Sequence, residues 1–128
     1  ELTPTALQAM AVSYVFGNET ADGARFFQQL FDHHNANGNP AGAAAAANAL
    51  GRVYLEAGKT EEARRWYETG YEVASRQPDE PASQLPLWQF RWLHAQGRIA
   101  AREKKAGEAR RHVAAARKLV ESTPSLSD

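Results

Sequence analysis

Gly51-Arg52-Val53-Tyr54-Leu55-Glu56-Ala57-Gly58-Lys59-Thr60-Glu61-Glu62-Ala63 and Gly97-Arg98-Ile99-Ala100-Ala101-Arg102-Glu103-Lys104-Lys105-Ala106-Gly107-Glu108-Ala109 are one stretch written twice. Each continues into two arginines, Arg64-Arg65 and Arg110-Arg111. The copies lie 46 residues apart, the difference between 51 and 97. A fixed offset of this size, in sequence with helical spacing, predicts stacked helix pairs. Arrays of that kind serve binding more often than catalysis.

Working outward, the rest of the chain reads as helix and turn. Thr3 is placed to cap a first helix with Pro4 in its first position. Leu7, Met10, Ala11 and Tyr14 follow at helical spacing, and Gly17-Asn18 ends it. Thr20 or Asp22 is expected to cap the second helix, through Phe26, Phe27, Leu30 and Phe31. Asn39-Pro40 opens a third helix through the alanine run 43–47, a strong helix former with little to bury. Gly58 stops it, and Thr60 is expected to cap a fourth with Glu61 and Glu62 in its first turn. The fourth should bury Ala63, Trp66, Tyr67, Gly70, Tyr71 and Ala74. The Pro-rich segment 77–86 is the longest connector. A fifth helix then carries Trp88, Trp92, Leu93 and Ile99. A sixth, from about Ala106 to Glu121, puts Ala109, Val113, Ala116 and Val120 on one face. The polar tail 122–128 is expected to fray. No run alternates with period two, so no strand is expected.

Gly51, Tyr54, Ala63, Tyr67 and Gly70 form a small–aromatic–alanine–aromatic–small series. Ala11, Tyr14, Gly23, Phe27 and Leu30 repeat it loosely. Gly97, Ala100, Ala109, Val113 and Ala116 repeat it with both aromatics lost. In this series the chain resembles the tetratricopeptide repeat family. The resemblance implies an all-α, right-handed α-solenoid of three helix-turn-helix repeats: six antiparallel helices and no strands. The repeats fall at about 4–36, 40–77 and 84–122 of a single domain spanning 1–128. The family's pitch is about 34 residues, whereas the steps here are 40 (Ala11 to Gly51) and 46. By size-and-spacing physics, Gly51 should face Ala63, with Tyr54 and Tyr67 wedged against the neighbouring pair.

Composition narrows the function classes. The 128 residues are 43% hydrophobic and 23% charged, as in ordinary globular domains, with room for one continuous core. Cysteine is absent, which removes disulfides and thiolate chemistry. No apolar run approaches a membrane span. A start at Glu1 without methionine reads as a processed or trimmed chain. The first 50 residues carry Arg25 against Glu1, Glu19, Asp22 and Asp32. From Trp88 onward nine basic residues face four acidic ones. That basic end is too modest to argue for nucleic acid.

On the fifth helix Arg91, His94, Arg98 and Arg102 recur along one face, and on the third Asn48, Arg52 and Glu56 form a similar line. The resemblance implies that the first helix of each pair lines a concave groove, so Asn48, Arg52, Arg91, His94, Arg98 and Arg102 are the ligand-groove candidates. Guanidinium groups suit carboxylates, so an acidic peptide or protein segment is the expected partner. A merely solvated face is the competing reading. His33-His34 at a helix end suits the helix dipole better than a metal. Trp66, Trp88 and Trp92 are expected in packing. No nucleophile–base pair, phosphate loop or metal-ligand cluster is present in the sequence, so neither enzyme activity, cofactor nor metal is expected. The alternative is a structural segment of a larger repeat protein, associating through its terminal helices and holding no ligand.

Overall fold

The computed structural model describes residues 3–17, 19–76 and 85–126. Six helices follow one another: α1 (Pro4–Phe16), α2 (Thr20–Ala36), α3 (Pro40–Glu56), α4 (Thr60–Ser75), α5 (Leu85–Arg102) and α6 (Ala106–Ser122). Among the described residues there is no strand, and each helix packs on its chain neighbours. A Cβ on Gly51, late in α3, would meet Tyr67 early in α4, whereas one on Gly70, later in α4, would meet Ala44 and Ala47, early in α3. The two helices are therefore antiparallel.

Local chemistry explains most boundaries. Thr3 Oγ1 accepts a hydrogen bond from the Ala6 amide, with Pro4 in the first turn. Asn39 Oδ1 does the same for Gly42, and Asn39 Nδ2 stands 3.1 Å from His34 Nδ1 in the last turn of α2. Gly58 leaves α3 at φ 80°, a left-handed conformation that glycine adopts without strain. Its counterpart in the second copy is Lys104, which takes φ 62° after α5. Two expected caps are corrected. Thr20 and Thr60 are the first helical residues of α2 and α4, while Asp22 lies in the first turn of α2. Glu19 and Lys59 occupy the cap positions without side-chain bonds. The Thr60 hydroxyl goes instead to Glu103, 3.3 Å away in the turn that follows α5.

The connector expected over 77–86 falls at 77–84 outside the described residues, and Leu85 and Pro86 already belong to α5. The tail is also more ordered than expected. Residues 123–126 close with a 3-10 turn, Pro124–Leu126, and Ser127 and Asp128 lie outside the description.

Among the described residues the buried apolar side chains gather in three clusters along the chain. Leu7 and Ala11 of α1, Ala24, Phe26, Phe27 and Leu30 of α2, and Ala46, Leu50 and Val53 of α3 make a first cluster. Leu55, Ala63 and Tyr67 meet Ala95 and Ile99 of α5 in a second. Ala44, Ala74 and Trp88 make a third. Apolar side chains are buried both within a pair and against the next, so the core is distributed along the array. Tyr54 packs against the first two clusters, and Tyr67 reaches α5, both as wedges between pairs. The tryptophans serve the same joints. Trp66 meets Phe31 edge-on at 5.2 Å, Trp92 stacks on Tyr71 at 6.3 Å, and Trp88 is buried.

Two packing expectations change. Ala43, Ala44, Ala46 and Ala47 are all buried, so the alanine run packs tightly rather than burying little. Its small side chains let Gly70 approach, and a Cβ there would lie 3.2 Å from the Ala44 carbonyl oxygen. The atoms nearest a Cβ on Gly51 belong to the Tyr67 ring, and Ala63 packs with Leu55, Tyr67, Ala95 and Ile99. In α6 only Ala116 is buried, and Val113 stands 49% exposed.

The joint between the second and third pairs also has a polar clasp. Arg64 Nη2 donates to Glu103 Oε1 at 2.8 Å, beside the Thr60 bond and Lys105 at 3.7 Å. Burial pushes the Glu103 carboxyl up, but Arg64, with Lys105 and Thr60, outweighs it and draws the pKa below its ordinary 4.5. A lowered folded-state pKa stabilises above the unfolded value, and that contribution is lost as pH falls through the folded one. Wild type should therefore melt a few degrees above Glu103→Gln at neutral pH, and the two curves should converge on acidification. Thermal melts across pH check this, and a constant gap would contradict it.

Candidate binding face

The parallel repeats place α1, α3 and α5 as successive first helices. On α1, Gln8, Val12 and Val15 fall on one side at helical spacing. With Thr20 and Phe27 of α2 and Ala49, Arg52, Val53 and Glu56 of α3 they line a cleft of about 630 Å³. Its walls are aliphatic and aromatic, and Arg52 and Glu56 give it charge. Val15 is 37% exposed, with its apolar surface available to a ligand.

Glu56 carries the site on to α5. Arg98 Nη2 donates to Glu56 Oε1 at 2.7 Å, and Arg102 Nη2 lies 3.4 Å from Oε2. One carboxylate thus bridges two guanidinium groups spaced four residues apart on one helix face. All three side chains are partly or largely exposed, and ion pairs in such positions contribute only about 0–1 kcal/mol each. A competing carboxylate could replace Glu56 at little cost. Tyr67 of α4 is buried nearby and senses these charges. Burial raises its phenol pKa, while the charges of Arg98 and Arg52 oppose the rise and Glu56 adds to it. The ring filling the space left by Gly51 therefore also feels the charges of the patch.

The structure brings Arg52, Arg98 and Arg102 together around Glu56 and Tyr67. Asn48 lies half-buried on α3, with its backbone nitrogen 3.6 Å from where a Gly70 Cβ would stand. Arg91 is drawn elsewhere, its guanidinium 4.7 Å above the Trp88 ring. His94 stacks on Phe90 at 5.9 Å and borders a second cleft, between α5 and α6, which Arg98 also lines. Sequence reasoning missed the apolar half, Val12, Val15 and Phe27. The spacing of Gln8, Val12 and Val15 was its available signal, hidden because Leu7, Met10, Ala11 and Tyr14 mark the stronger buried face.

Among the described residues no group of three or more His, Asp or Glu side chains is placed to hold a metal ion. Among these residues no helix is long and apolar enough to cross a membrane. Compared with family models, curated proteins and solved structures, the chain matches none.

Proposed function

We propose that the protein is a non-enzymatic interaction scaffold of the tetratricopeptide type, holding an extended acidic segment of a partner protein across α1, α3 and α5. The observation that carries this reading is the Glu56 bridge. The face already holds a carboxylate between Arg98 and Arg102, and Arg52 beside it has no ion pair among the described residues. Three guanidinium groups against one carboxylate leave the patch net positive. The adjoining 630 Å³ cleft offers Val12, Val15, Phe27 and Val53 to apolar side chains of the same segment. Charge would set orientation and apolar contact would add affinity, as in peptide grooves generally.

The test is a labelled peptide library with acidic, neutral and basic members, each carrying aliphatic residues. Acidic members should bind best, with affinity falling as salt rises. Arg52→Glu should weaken the best binder about tenfold with helicity unchanged. Binding indifferent to peptide charge, or untouched by Arg52→Glu, would remove the reading and leave the structural-segment alternative.

A further inference from the structure

The 46-residue offset supplies a template for a surface on α5 and α6. Leu55, Ala63, Arg64 and Tyr67 correspond to Ala101, Ala109, Arg110 and Val113. In the second pair, α5 covers those positions. Leu55, Ala63 and Tyr67 cluster with Ala95 and Ile99, and Arg64 donates to Glu103 at 2.8 Å. In the third pair the counterparts are open and line a cleft of about 600 Å³ between α5 and α6. Tyr67 is 5% exposed, but Val113 is 49% exposed. Arg110, the counterpart of Arg64, has no carboxylate within 4 Å among the described residues, nor has Arg117 at the cleft's edge.

We propose that this cleft docks an acidic amphipathic helix of a separate polypeptide, lying on α5 and α6 as α5 lies on α3 and α4. The template states its chemistry. Ala95, Ile99 and Glu103 are spaced four apart along the chain of α5 and its turn, so the incoming helix presents a small residue, an aliphatic four later and a carboxylate four after that. Its carboxylate meets Arg110. Charge complementarity points the same way, because the cleft is lined by His94, Arg110 and Arg117 and by no acidic side chain, with Arg98, paired to Glu56, at its edge. A second copy of this chain fits worse. The position of α1 that would take the place of Ile99 there holds Ser13, so the aliphatic anchor of the template is missing. This surface is separate from the Arg52 cleft, and Arg98 is common to both sites.

The probe is an alanine-based peptide of roughly 20 residues, long enough to form helix on docking, with Ala, Ile and Glu at that spacing. A control replaces its Glu with Lys. The Glu probe should bind the unaltered cleft at least tenfold tighter than the Lys probe. Arg110→Glu should reverse that order, and Val113→Asp should abolish binding of both with the circular dichroism unchanged. Equal binding of the two probes, no binding of either, or no reversal by Arg110→Glu would overturn the proposal. So would a concentration-dependent dimer of the chain alone that Val113→Asp dissolves, because the occupant would then be a second copy. All of these measurements are made in an Arg52→Glu background, which disables the groove, so that the probe reports this cleft alone.

Discussion

Leu50→Ala is expected to lower the unfolding free energy by about 2–5 kcal/mol. Leu50 is fully buried in α3, packed among Leu7 and Ala11 of α1 and Phe27 and Leu30 of α2. It lies where three helices meet, so truncation leaves a cavity that no single side chain can fill. The surrounding rings are fixed by their own contacts. Tyr14 stacks on Phe26 at 5.5 Å, and Phe31 is braced by Trp66. Collapse of the site would have to move a whole helix. Domains of this size have about 5–15 kcal/mol to lose, so the variant should unfold at much lower urea concentration. Because the core is distributed along the array, the damage should centre on the first two pairs. The unfolding transition should broaden as the third pair survives longer. Val113→Ala is the comparison, since its exposed side chain should cost under about 0.5 kcal/mol. A Leu50→Ala loss below about 1 kcal/mol would mean that α1 and α2 can close onto α3 freely.

The helices were legible in the sequence because their signals are local. Thr3-Pro4, Asn39-Pro40 and Gly58 act on the backbone within a few residues, and each marks a boundary where expected. What could not be read was which side chain meets which across helices. Thr60 has the chemistry of a cap, yet its hydroxyl is taken by Glu103, 43 residues away. The alanine run looked poor in burial because alanine is small, but smallness is what lets Gly70 approach. The candidate site divides along the same line. Arg98 and Arg102 share a face by helical period alone, and that was visible. Glu56 between them depends on how α3 and α5 pack over Leu55 and Tyr67, which no spacing within one helix encodes. Arg91 could have been separated from the stripe, since Trp88 lies three residues before it on the same helix.

The repeated glycines give the last expectation, a difference between two identical substitutions. Gly51 and Gly97 are counterparts, and alanine is preferred to glycine by about 1 kcal/mol in a helix interior. Propensity alone would make both changes to alanine stabilising. At Gly51 a Cβ would lie 2.7–2.9 Å from the Cγ, Cδ2 and Cε2 atoms of Tyr67. These are ring atoms near the Cβ, held in a buried side chain that also packs on Ala95 and Ile99, so the ring cannot swing aside. Overpacking of this kind costs about 1–3 kcal/mol, enough to cancel or exceed the propensity gain. At Gly97 the nearest atom is Val113 Cγ2 at 3.3 Å, on a side chain that faces solvent and can give way. Gly97→Ala should therefore be neutral or stabilising by up to about 1 kcal/mol, and Gly51→Ala destabilising by up to about 2 kcal/mol net. Denaturant melts of both variants measure the difference. Tyr67→Val identifies its cause, because it gives the second pair the valine that the third already has. In that background Gly51→Ala should lose most of its penalty. An unchanged penalty there would place the clash outside the Tyr67 ring, and equal effects at Gly51 and Gly97 would mean that the two helix pairs do not differ in this contact.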